Sequence, residues 1–90
     1  MTEEVIFETE RTQSRADIAE TFRAVADKLE SGESITLSAG DQSVELDPPT
    51  DPTFEVKAER EIEGGIEELS IEFELEWKPG ESDDGPVSIE

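Results

Sequence analysis

The chain has 90 residues, the length of one domain with a single small core. It carries 26 Asp and Glu against 7 Lys and Arg, a net charge of −19, and contains neither cysteine nor histidine. Those absences exclude a disulfide framework, a thiolate nucleophile, the usual zinc ligands and the commonest general base, and the charge opposes direct binding to nucleic acid.

With only 32% hydrophobic residues, so acidic a chain sits near the border of disorder in dilute buffer. Self-repulsion opposes its collapse. Its apolar residues are nevertheless strongly patterned, and the two facts reconcile in molar salt, where the Debye length falls to roughly 3 Å. The composition therefore reads as that of a cytoplasmic protein from an extreme halophile. The opening "MTEEVIFETE" lacks the basic and apolar regions of a signal peptide, and no apolar run approaches the ~20 residues that span a bilayer. No membrane association is expected.

In chain order, "EVIFETER" sets Val5 and Phe7 against Glu4, Glu8 and Glu10 and predicts a first strand, although Ile6 interrupts the alternation. The period then changes. In "SRADIAETFRAVADKLESG", Ile18, Phe22, Val25 and Leu29 recur at helical spacing with Ala19 and Ala26 in the same stripe, so a helix is expected over about residues 15–30. Ser14 is its N-cap candidate and Gly32 its stop. The basic residues Arg15, Arg23 and Lys28 alternate with acids, which describes a solvated, charge-laced face better than a basic patch.

Two hairpins follow. A two-residue turn at Gly40-Asp41 pairs Leu37 with Val44 and Ile35 with Leu46, all on one face. After the stiff "DPPTDP", a turn at Gly64-Gly65 sets Phe54 against Leu75, Val56 against Phe73, Ala58 against Ile71 and Arg60 against Leu69. Trp77 then ends its strand opposite Pro52. One extra loop residue would scatter the apolar side chains over both faces, so the pattern selects this parity. The other face opposes Lys57 to Glu72, but it also opposes Glu55 to Glu74 and Glu61 to Glu68, like-charge pairs that only salt makes tolerable.

The run "AETFRAVADKLESGESITLSAGDQSVEL", followed by "FEVKAERE" and the closing "ELSIEFELEW", resembles the amphi-Trp domain proteins, small acidic proteins common among haloarchaea. The likeness spans about Glu3 to Trp77. It implies no catalytic residue, cofactor or activity.

No pair of acids shows the converging arrangement that glycosidase or metal-assisted chemistry requires. Ser82-Asp83-Asp84-Gly85 lacks the spacing and terminal Glu of a calcium loop. No catalytic, cofactor or metal site is therefore expected. The expected fold is α+β, in the order β-α-β-β-β-β, with one amphipathic helix on one face of a four- to five-stranded antiparallel sheet. Residues 1–78 form the single domain and 79–90 a flexible acidic tail, in which Val87 and Ile89 alternate as if to join a strand edge.

A helix about 10–12 Å across cannot cover a sheet roughly 20 Å wide, so either the sheet curls around it or part of the apolar face is buried by another molecule. The candidate interface is Trp77, Leu75, Phe73, Phe54 and Val56, either in a homodimer or against another protein. The functional expectation is a non-enzymatic, salt-adapted interaction module. The competing reading is a nucleic-acid mimic whose acidic face, Glu55, Glu59, Glu61, Glu72, Glu74 and Glu76, occupies a DNA- or RNA-binding protein.

Overall fold

The computed structural model describes residues 2–80. It divides into two compact units, Met1–Pro48 and Pro49–Glu90. The elements run in the order α1 (Arg15–Ser31), β1 (Ile35–Ala39), β2 (Gln42–Leu46), β3 (Thr53–Glu63) and β4 (Ile66–Glu76).

In the first unit, α1 begins where the sequence supplies an acceptor. Ser14 has extended backbone angles, and its hydroxyl accepts a hydrogen bond from the Asp17 amide at 3.0 Å, satisfying one of the unpaired donors of the first turn. The helix stops at Gly32, whose φ of 76° is left-handed. There the Gly32 amide donates to the Leu29 carbonyl and the Glu33 amide to the Lys28 carbonyl, the two bonds of a Schellman motif. Lys28 Nζ also reaches Glu33 Oε1 at 2.9 Å, placing a cation at the negative end of the helix. The helix contacts β1. Along its apolar stripe Ala19 and Val25 are half-buried, whereas Ile18, Phe22 and Leu29 keep substantial exposure.

Strands β1 and β2 pair antiparallel, with Ile35 opposite Leu46 and Leu37 opposite Val44, the expected register. Gly40 has φ of 59° and Asp41 does not take a positive φ, the sign pattern of a type II′ turn. Ile35, Leu37, Ala39, Val44 and Leu46 are half-buried while the strand residues between them are exposed, so the hairpin is amphipathic as read.

The expected first strand is absent. Residues 2–14 carry neither helix nor strand. The Glu8 amide donates instead to Gln42 Oε1 at 3.4 Å, and the Glu8 carbonyl accepts from Gln42 Nε2 at 3.3 Å. A single side-chain amide thus occupies the backbone groups that a ladder would need. Ile6, on the wrong side of the alternation, explains why no amphipathic strand competes: Val5 and Ile6 both stay exposed and only Phe7 is half-buried.

The single four- to five-stranded sheet is likewise corrected. Among the described residues there are two separate two-stranded sheets, β1-β2 and β3-β4. Pro48, Pro49 and Pro52 fill the connector between them, and without N–H groups they cannot extend a ladder from β2 into β3.

The second unit is a long hairpin, with 11 residues in each strand. Its turn, Gly64-Gly65, has positive φ at both positions (58° and 80°), as a type I′ turn demands. The register from Phe54–Leu75 to Arg60–Leu69 is the one that the alternation selects. The ladder ends one residue sooner than expected: its last pair is Thr53–Glu76, and Trp77 lies beyond it, half-buried, as is Pro52. The expected tail, residues 79–90, falls outside the described residues from residue 81 onward, and with it the Ser82–Gly85 and Val87/Ile89 readings.

Candidate functional site

Because successive strand residues alternate faces, the β3–β4 register sorts the hairpin into two chemically opposite sides. One side carries Phe54, Val56, Ala58, Arg60 and Ile62 from β3 and Leu75, Phe73, Ile71, Leu69 and Glu67 from β4. Four of the five candidate interface residues, Phe54, Val56, Phe73 and Leu75, therefore share this face. Trp77 stands just past its end. Phe54 and Phe73 stack with ring centroids 6.4 Å apart and planes inclined by 12°, a diagonal contact across neighbouring rungs. Most of this face is exposed; Leu75 is half-buried.

The one charged feature on the apolar side escapes a reading of direct partners. Arg60 opposes Leu69 and Glu67 opposes Ile62, yet Arg60 Nε lies 2.9 Å from Glu67 Oε2 across the diagonal. The pair leaves the face electrically neutral. The signal was present in the sequence, since diagonal neighbours in a ladder lie within reach of long side chains.

All six candidate acidic residues, Glu55, Glu59, Glu61, Glu72, Glu74 and Glu76, fall on the other side. Glu63 and Glu68 join them, and Lys57 is the single cation. Lys57 Nζ stands 3.5 Å from Glu72 Oε1. The charge of Glu59 first, then the charge and hydrogen bond of Glu72 and the charge of Glu55, hold its ammonium above the ordinary lysine range against an opposing desolvation. At the open end of the hairpin, a hydrogen bond with the opposed Glu55 carboxyl and then the charge of Glu76 raise the Glu74 carboxyl above the usual range. Two carboxyls this close hold a proton more readily than one alone.

Among the described residues no cluster of three or more His, Cys, Asp or Glu is arranged to hold a metal ion. No described helix is long and apolar enough to cross a membrane.

A capped helix followed by two antiparallel hairpins, the second with one apolar and one carboxylate face, defines a small α+β protein whose distinguishing feature is an amphipathic ribbon. Over residues 1–90 the chain matches the model of the Amphi-Trp domain, and it belongs to that family. No curated protein and no solved structure matches it.

Proposed function

We propose that this protein is a non-enzymatic interaction module of a salt-adapted cytoplasm, and that the apolar side of the β3–β4 hairpin is its binding surface. The observation that carries the reading is the near-complete segregation of that ribbon. Large apolar side chains and one internally neutralised ion pair lie on one side, and eight glutamates with one lysine on the other, where Ile66 beside the turn is the one large apolar exception. An exposed, contiguous apolar strip rimmed by charge is what a protein-binding surface requires, and soluble proteins seldom leave one uncovered. Phe54, Val56, Phe73 and Leu75 supply contacts in this reading, with Trp77 at its rim.

The competing reading, nucleic-acid mimicry, draws support from the acidic side. Its row of carboxylates along two strands could present phosphate-like charge to a basic protein. The two readings use opposite faces, so one experiment separates them. Tagged wild type, Ile71→Glu and Glu72→Gln/Glu74→Gln are used as baits in high-salt extract. A protein lost only with Ile71→Glu supports the apolar module, and one lost only with the glutamine variant supports mimicry. Retention of every captured protein by both variants overturns both.

A further inference from the structure

We infer that the apolar side of the β3–β4 hairpin is covered by the same face of a second copy of this chain, in antiparallel orientation about a two-fold axis passing beside Ala58 and Ile71. The inference rests on reading this face as a binding surface and names its occupant.

Area is the first ground. Phe54, Val56, Ile62, Leu69, Ile71 and Phe73 are 59%, 58%, 68%, 67%, 68% and 50% exposed. At about 200 Å² for a large apolar side chain, they offer on the order of 700 Å² per copy. A standard interface takes about 800 Å² from each partner, so two such faces approach the size of a standard dimer interface.

Charge is the second. Edge-to-edge pairing of two hairpins would lay their glutamate rows side by side and extend one acidic sheet, with like charges in neighbouring strands. Face-to-face packing turns every one of those carboxylates outward. The face that is covered is neutral, because the charge of Arg60 is matched by Glu67 at 2.9 Å. A chain of net charge −19 meets its own copy with least repulsion through this face.

Orientation follows from the register. Ala58 opposes Ile71 and lies midway between Phe54 and Ile62, while Ile71 lies midway between Glu67 and Leu75. A two-fold axis there, lying between the sheets and across the strands, sets Val56 against the second copy's Arg60 and Phe54 against the second copy's Ile62. The guanidinium of each copy then approaches the Phe54–Phe73 stack of the other, a favourable cation–π partner. An axis along the strands would instead bring the two Arg60 side chains together. Ala58, the smallest side chain of the strip, allows close approach at the axis, within the ~10 Å spacing of packed sheets.

Sedimentation at about 2 M KCl, where charge repulsion is screened, should show a dimer at ~100 μM. Val56→Glu should convert it to a monomer with its circular dichroism retained, and Glu59→Gln on the opposite side should not. The chain has no cysteine, so single substitutions report proximity cleanly. Ala58→Cys should cross-link efficiently between copies through a short bis-maleimide. Ile62→Cys should not, since its two copies would lie roughly 26 Å apart along the strands. A monomeric wild type overturns the inference while leaving face-dependent capture of another protein intact. Preferential cross-linking at position 62 overturns the antiparallel arrangement.

Discussion

Glu55 stands directly opposite Glu74 in the β3–β4 ladder, and the hydrogen bond between their carboxyls holds Glu74 above the usual carboxylate range. A group whose pKa is raised on folding contributes stability that is fully present below its unfolded value and is lost as pH rises through the folded one. The hairpin should therefore gain stability as pH falls from neutral toward the ordinary glutamate value of ~4.3. Other carboxylates repel as well, so the informative quantity is the difference between wild type and Glu74→Gln. In low salt the variant should melt higher at neutral pH, and the advantage should shrink on acidification. A constant difference across the titration would exclude the shared proton.

Salt should act on the same charges. With a net charge of −19, raising KCl from about 0.1 M to about 2 M shortens the Debye length from ~10 Å to below ~3 Å and should raise the melting temperature steeply. Circular dichroism melts at the two concentrations test this. Equal melting temperatures would remove the halophilic reading, because screening would then have nothing to relieve.

The hairpins were legible in the sequence because two independent signals agree. The parity of apolar residues fixes which register is compatible with one face, and Gly64-Gly65 or Gly40-Asp41 supplies the turn that closes it. The helix was legible for a similar reason, with Ser14 and Gly32 marking the ends of a 3.6-residue stripe. The N-terminal strand failed where only one signal existed. Val5 and Phe7 alternate, but no turn or partner pins them, and the Gln42 side chain binds the Glu8 backbone instead. The division of the strands between two separate sheets was not legible either, since alternation specifies faces and says nothing of which edges meet. Of the candidate site, both face assignments were readable from the register. The diagonal Arg60–Glu67 pair follows from the same register, but only once diagonal neighbours are counted beside direct partners.

The turn itself offers a local test. A side chain added at Gly64 or Gly65 would meet nothing within 4 Å, so replacing them costs backbone strain and not a clash. Positive φ costs an L residue roughly 1–2 kcal/mol, more for a β-branched one. Gly64→Val/Gly65→Val should thus lower hairpin stability by roughly 2–4 kcal/mol. Trp77 fluorescence can follow unfolding of this unit, since it is the chain's only tryptophan. An unchanged midpoint would show that the turn lies elsewhere.

Trp77 and Phe73 together test where the binding energy of the proposed interface is concentrated. Phe73 lies one rung from the Ala58–Ile71 centre and stacks on Phe54, whereas Trp77 lies beyond the last rung, half-buried at the hairpin's open end. Binding energy in an interface gathers at its desolvated centre, while rim contacts mainly exclude water. Phe73→Ala should then weaken dimerisation by about 2 kcal/mol or more, roughly thirtyfold in Kd, and Trp77→Ala by less than about 1 kcal/mol. Trp77→Ala should also cost the hairpin about 1–2 kcal/mol of stability, in keeping with a half-buried ring and short of the ~3–5 kcal/mol of an enclosed one. Sedimentation equilibrium of both variants at high salt gives the two Kd values. If Trp77→Ala proves the more damaging, the interface is centred on the open end of the ribbon and the axis at Ala58 is wrong.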